Sequence, residues 1–261
     1  MKTLLTETAI VSALAFGAAA PALAQQTATT GTPPEVEVVA EEEVNLNEWG
    51  YEGLYEDTWT AEQVLDAPVY GPTDEEIGEV ENIVVGTNGL VDGIIAEVGG
   101  FWDIGDTHVR VPWSEVEVAS GGEDEPRVTI PVTEETVEDY DLYGGVAGEF
   151  RVVDDDDPYT PRAWRATELI DDYVTLEDGA RYGWVEDLLF DQSGRLKAVV
   201  VDAAYGPAYG PYAYPFFGYG YGFYPGYDYY GLPYSEDEIA GAGLEPFEYE
   251  RFETAAEAGD D

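Results

Sequence analysis

The chain repeats itself, and the repeat constrains its fold more than any other feature. Val69 recurs as Val174, Gly78 as Gly183, Val80 as Val185 and Glu81 as Glu186, each 105 positions on. In the same register Ile83 and Val85 fall on Leu188 and Phe190, and Asn88-Gly89 falls on Ser193-Gly194. Val91 falls on Leu196 and Ile95 on Val200. Pro112-Trp113-Ser114-Glu115 then matches Pro233-Tyr234-Ser235-Glu236, 121 positions apart. The spacing predicts two modules of one architecture, the second enlarged by an insertion of 16 residues.

Each module reads as a hairpin followed by a return strand. Asn88-Gly89 and Ser193-Gly194 are turn signals between β-rich runs. The runs before them place apolar residues at 80, 83, 85 and at 185, 188, 190. Strict alternation gives no three-residue gap, so the shared gap predicts a bulge that bends the strand, as a small closed barrel requires. Gly78 and Gly183 precede these strands, where a tight corner favours a residue without Cβ. Thr107, Val109 and Val111 share one face of the return strand, and His108 and Arg110 share the other. Thr60-Ala61-Glu62-Gln63 is a capping-box pattern that predicts a short helix through Val64 and Leu65.

These residues resemble the PRC-barrel family, a small β-barrel. The first module carries the resemblance in Leu65, Val69, Glu76 to Val80, Asn88-Gly89, Val98-Gly99-Gly100-Phe101 and Val109 to Trp113. The second keeps Val174, Gly183-Trp184-Val185, Ser193-Gly194, Ala198 to Val201 and Leu232-Pro233-Tyr234, and lacks the Gly-Gly-Phe segment. The resemblance implies an all-β chain of two small barrels with short helices. It further implies a non-catalytic module for docking and assembly, with no shared active site or cofactor and no fixed partner.

Composition bounds the chemistry. Of 261 residues 56 are acidic and 10 basic, for a net charge of −46. Such a chain is repelled by nucleic acid, whose binding needs cationic side chains against phosphate. It also repels itself in dilute buffer. At molar salt the Debye length falls to about 3 Å and the repulsion is screened. The composition is therefore that of a halophilic protein. Lys2, the apolar run Ala9 to Ala20 and the small residues Ala22-Leu23-Ala24 form a targeting pattern with cleavage before Gln25. Glu7 and Lys2 leave together, so the mature chain keeps its charge of −46. The expected destination is a bacterial periplasm, without a transmembrane segment in the mature chain.

The absence of Cys removes thiolate catalysis, disulfides and Cys-based metal sites. His108 is the only imidazole, and its strand position reads as a surface residue. Ser114, Ser120, Ser193 and Ser235 read as turn and cap residues, none in a Gly-x-Ser-x-Gly elbow. Asp154 to Asp157 could attract hard cations but lacks the alternate ligand spacing and turn glycine of an ordered calcium loop. It reads as a solvated linker with cations condensed non-specifically. Hence no catalytic, cofactor or metal residue is assigned. Paired carboxylates keep a hydrolase as an alternative.

Ala203 to Gly231 holds ten Tyr, seven Gly and four Pro with a single charge, Asp228. It reads as a tolerated low-complexity loop, as an aromatic surface for proteins or glycans, or as a membrane-interface segment, the last disfavoured by charge. The first module's Gly99-Gly100-Phe101-Trp102 is also aromatic and glycine-rich. The candidate docking surface is therefore Phe101, Trp102, Phe216, Phe217, Tyr219, Tyr221, Phe223 and Tyr224. The expected organisation is a signal peptide 1–24, an acidic linker 25–53, a first module 54–145, an acidic linker 146–159, a second module 160–245 with its insertion 203–231, and an acidic tail 246–261. The first module includes a trailing strand at 127–131 and a helix near 133–138. The expected function is docking or envelope assembly with another envelope protein or itself. The alternatives are a loose cation-binding acidic protein and the hydrolase.

Overall fold

The computed structural model describes residues 44–86, 88–99, 106–120, 126–133, 136, 151–152, 163–205, 209–218 and 227–251. The targeting segment, the acidic stretch 25–43 and the run Asp154 to Asp157 lie outside the described residues. Two mostly antiparallel sheets carry the fold. The first contains β2 (Pro68–Tyr70), β3 (Glu76–Gly86), β4 (Val91–Gly99), β5 (Asp106–Pro112), β6 (Glu117–Ser120), β7 (Pro126–Thr129) and β8 (Arg151–Val152). They lie in the order β6-β7-β2-β3-β4-β5-β8. The second runs β13-β12-β11-β10-β14, from β10 (Tyr173–Thr175), β11 (Arg181–Asp191), β12 (Leu196–Ala203), β13 (Gly210–Pro215) and β14 (Tyr229–Gly231). Short helices α1 (Glu52–Asp57), α2 (Ala61–Val64), α3 (Ala166–Leu169) and α4 (Glu236–Ala242) flank them. Thr60 caps α2 through the expected reciprocal box with Gln63.

The sheets are open paths and not closed barrels: among the described residues no ladder joins β6 to β8 or β13 to β14. Short or proline-bearing end strands account for this. β8 has two residues and β14 three, while β13 carries Pro211 and Pro215. Proline cannot donate to a ladder, so such strands end a sheet.

The shared bulge is present in both copies. The register slips between Val80 and Asn82 and again between Val185 and Asp187. Gly78 and Gly183 lie inside β3 and β11 instead of before them. Their requirement for glycine is a close approach and not a special backbone angle. A Cβ on Gly78 would sit 1.8 Å from the Glu97 carbonyl oxygen, and one on Gly183 would sit 2.1 Å from that of Asp202.

The modules exchange strands. β1 (Thr58–Thr60) opens the first module yet pairs with β11, setting Trp59 against Phe190. β9 (Ala163–Arg165) opens the second module yet pairs with β3, setting Trp164 against Val85. The two hairpin tips also meet. Val91 N–H donates to Gly194 C=O at 2.7 Å, and Leu196 N–H donates to Gly89 C=O at 2.9 Å. These contacts obey the 105-position repeat, so a pseudo-two-fold relates the halves. One hydrophobic core runs through both, from Leu46 to Ile239, and Val38–Asp261 is one compact unit.

The ladders also correct the insertion. Gly93 pairs with Pro112, and its counterpart Ala198 pairs with Pro215. Val69 pairs with Val128 in parallel, and its counterpart Val174 pairs with Tyr230. Ile130 N–H donates to Tyr70 C=O, as Leu232 N–H does to Thr175 C=O. Pro131 is thus the counterpart of Pro233, 102 positions away, and Pro112 is the counterpart of Pro215. The second module has lost three positions rather than gained sixteen. The described residues of 203–231 belong to the body of that module, with an unusual composition. The module's tyrosines replace aliphatic core residues: Tyr182 stands where Ile77 does, Tyr214 where Val111 does, Tyr230 where Val128 does and Tyr234 where Val132 does. All eight are buried. The buried hydroxyls find partners, as they must. Those of Tyr182 and Tyr214 lie 2.6 Å apart, and that of Tyr230 accepts from Phe217 N–H at 2.7 Å.

Order extends further at both ends than the composition suggests. Leu46, Tyr51, Leu54, Tyr55 and Phe247 are buried, the last four over Leu189, Ala198, Val200 and Ala213. Phe247 N–H donates to Pro211 C=O at 2.7 Å, and the Trp49 indole donates to Ala213 C=O at 2.9 Å. These two bonds cover the outer edge of β13, which would otherwise offer open carbonyls.

Candidate docking surface

Phe216 and Phe217 are core residues, 5% and 2% exposed. That removes them from the docking surface, and the pseudo-symmetry gives the reason. Phe216 follows Pro215 as Trp113 follows Pro112. Its ring lies 3.8 Å from where a Cβ on Gly89 would be, as the Trp113 ring lies 2.8 Å from that of Gly194. Both aromatics anchor the junction between modules. Phe217 packs edge-on against buried Tyr234. Phe101, Trp102, Tyr219, Tyr221, Phe223 and Tyr224 lie outside the described residues.

The exposed aromatics are other residues. In the second sheet Tyr173 stands directly opposite Trp184 on one side and Tyr229 on the other. Val174 and Tyr230, the next residues along β10 and β14, point into the core. Alternation therefore turns Tyr173, Trp184 and Tyr229 outward. Tyr205 packs on Trp184 at 5.9 Å between ring centroids, and Tyr227 stacks on Tyr229 at 5.6 Å. The result is a stripe Tyr227-Tyr229-Tyr173-Trp184-Tyr205 across the outer face. Trp184 is 36% exposed, Tyr205 45% and Tyr227 53%. Arg181 lays its guanidinium over the Tyr173 ring at 4.5 Å, an attraction of a cation to the negative ring face. Among the described residues Arg181 has no carboxylate partner. Asp172 borders the stripe, and burial, with help from Asp228 and Glu168, raises its carboxyl to about 6.

Among the described residues the first module carries no such stripe. Its counterparts of Tyr173, Trp184 and Tyr229 are Pro68, Glu79 and Arg127. Arg127 covers the Tyr70 ring at 3.4 Å and pairs with Asp74. Of the rings that sequence reasoning turned outward, the described Phe216 and Phe217 face the core. Tyr173 and Trp184 lie outside the aromatic segment 203–231. The usable signal was a polar or aromatic residue alternating with the core position on each side.

Other candidates hold structural posts. His108 is partly buried. Its imidazole, 14% exposed, sits with Nε2 at 3.3 Å from Glu81 and 3.8 Å from Glu97. Ser193 Oγ donates to Asp191 within its turn, and Ser235 caps α4 with Glu238. Among the described residues no three acidic or His side chains are grouped as a metal would need. No described helix is long and apolar enough to cross a membrane. Among the described residues Asp187 is the one fully buried acid, accepting at Oδ1 from Glu62 N–H at 3.1 Å and Leu188 N–H at 2.7 Å. Burial pushes it up to about 7. It lies at the junction of the modules, three residues along β11 from Trp184.

A family model described as the PRC-barrel domain matches residues 56–145 and again 162–215. The second match stops at Pro215. No curated protein matches the chain.

Proposed function

The chain belongs to the PRC-barrel domain family and carries the domain twice, and from that membership we propose that it is a non-catalytic docking protein of the bacterial envelope. The observation that carries the reading is the outward stripe Tyr227-Tyr229-Tyr173-Trp184-Tyr205 with Arg181. Tyr, Trp and Arg are the residues that most often anchor interfaces, because they give large contact area at small entropic cost. They are gathered on one face of a chain whose charge is otherwise −46. The partner is another protein, met at high salt, where screening lets two acidic surfaces approach. The targeting pattern at the N-terminus supports export, and the acidic excess supports a saline exterior.

Capture from envelope extract in molar salt tests this, using the intact protein and a Trp184→Ser/Tyr205→Ser variant. Both residues are exposed, so the variant keeps the core. The expected result is a partner recovered by the intact protein and reduced at least about tenfold by the variant, since an interface anchor is worth roughly 2 kcal/mol or more. Undiminished recovery by a folded variant overturns the assignment of the stripe.

A further inference from the structure

The contacts between the modules occur in pairs. β1 lies on β11 as β9 lies on β3. Gly89 lies beside Phe216 as Gly194 lies beside Trp113. Leu90 and Arg195 form a bridge on the pseudo-two-fold itself. A contact set in which i meets j and j meets i is the isologous kind that joins two separate copies in a symmetric dimer. We infer that this surface joins copies of the chain as well as halves of it: the second module of one molecule seats on the first module of another through these same contacts.

Three features carry the exchange. First, neither module is complete alone. Trp164 belongs to the second module yet is fully buried on the first, and Phe190 of β11 packs under Trp113 of the first module at 5.5 Å. A module parted from its complement exposes these rings and is driven to recover any complement at hand. Second, β8 fixes Arg151 and Val152 to β5, so residues 153–162 connect the modules. Fully extended, that stretch spans about 33 Å. Third, the same contacts form within a chain or between chains, so only effective concentration separates the outcomes. A short linker supplies roughly millimolar effective concentration, and exchange becomes comparable at that protein concentration. The occupant is a second copy, and the surface is distinct from the aromatic stripe.

Cysteine pairing reports the exchange without background, because the chain has no Cys. Val91 N–H to Gly194 C=O and Leu196 N–H to Gly89 C=O bracket Leu90 and Arg195, which makes them a non-hydrogen-bonded pair. Such pairs have Cα atoms about 4.5 Å apart, within disulfide range. The Leu90→Cys/Arg195→Cys double variant is expected to close its disulfide within one chain. Leu90→Cys chains and Arg195→Cys chains, unfolded and refolded together at about 1 mM in molar salt, are expected to give a 90–195 cross-linked dimer. Its yield should be tens of per cent and should fall roughly a hundredfold at 10 µM. Peptide mapping distinguishes the 90–195 link from 90–90 and 195–195 links. The proposal is overturned if the double variant closes while the mixture yields no 90–195 link, or yields it no more often than 90–90. Failure of the double variant to close overturns the module contact on which the proposal stands.

Discussion

Asp187 shows how one residue position differs between the halves. Its counterpart is Asn82, whose Oδ1 accepts from Ile83 N–H and whose Nδ2 donates to Thr167 Oγ1 at 2.7 Å. Thr167 is in turn the counterpart of Glu62. One side of the junction is therefore a neutral amide and hydroxyl, and the other is a buried carboxyl facing an acidic residue. Asp187 titrates near 7 in the folded chain against 3.8 ordinarily, chiefly through burial. Ionising it in place costs stability, so the penalty is absent below about pH 4, grows as pH rises and is complete above 7. Asp187→Asn keeps the acceptor for Glu62 and Leu188 N–H and removes the ionisation. It is expected to stabilise the protein by on the order of 2 kcal/mol at pH 8 and by little at pH 4.5. Thermal unfolding of both proteins at the two pH values in molar salt measures this, and an equal displacement at both would remove ionisation as the cause. The sequence marks position 187 only as lying in the gap between Val185 and Leu188. Its chemistry is invisible there, because Glu62 and Thr167 belong to the opposite module and no local pattern names them.

At the element scale, the hairpins, the shared bulge, the capped helix at Thr60 and the repeat were all legible. Each rests on contacts within a few residues or on a copy of the same pattern. The exchange of β1 and β9 was not legible. Thr58-Trp59-Thr60 would suit any sheet edge, and only packing selects β11. The insertion was misread because a short Pro-aromatic-Ser-Glu match outweighed Pro131-Val132-Thr133, whose counterpart Pro233-Tyr234-Ser235 has an aromatic in the core position. Phe216 and Phe217 were placed on the docking face for a similar reason: an aromatic-rich segment looks like surface until its rings are seen in the core. Exchange has a mechanical consequence. Gly194 sits at φ +81° with the Trp113 ring 2.8 Å from where its Cβ would lie. Gly194→Ala must strain the turn and displace a residue of the other module, at a cost of roughly 1–3 kcal/mol. Hydrogen exchange is expected to accelerate in β3 and β4 as well as in β11 and β12. Acceleration confined to the second sheet would mean that the modules unfold separately and that the common core is not cooperative.

At the scale of the whole molecule, most of a net charge of −46 must be held in one compact unit. Few cations offset it locally. Arg251 meets Glu52 and Lys197 meets Asp191 at 3.3 and 3.7 Å, each a partly exposed pair of small worth. The repulsion among the remaining carboxylates is spread over the surface and falls with the Debye length, from about 30 Å at 0.01 M salt to about 3 Å at 1 M. The unfolded chain holds its charges farther apart, so screening favours the folded state. The midpoint of thermal unfolding is therefore expected to rise by several degrees or more between 0.01 and 1 M NaCl, with most of the change below about 0.3 M, where the Debye length is shrinking fastest. Sucrose at matched osmolarity strengthens burial by exclusion from the surface but screens nothing. It separates charge from general compaction: a comparable rise in sucrose at low salt would assign the effect to burial, and a flat midpoint in NaCl would remove self-repulsion as a determinant of stability. The same titration bears on docking. If screening permits two acidic surfaces to meet at the stripe, partner capture should begin over the same salt interval in which the midpoint climbs. Capture already complete at 0.01 M would mean that the partner brings the opposite charge.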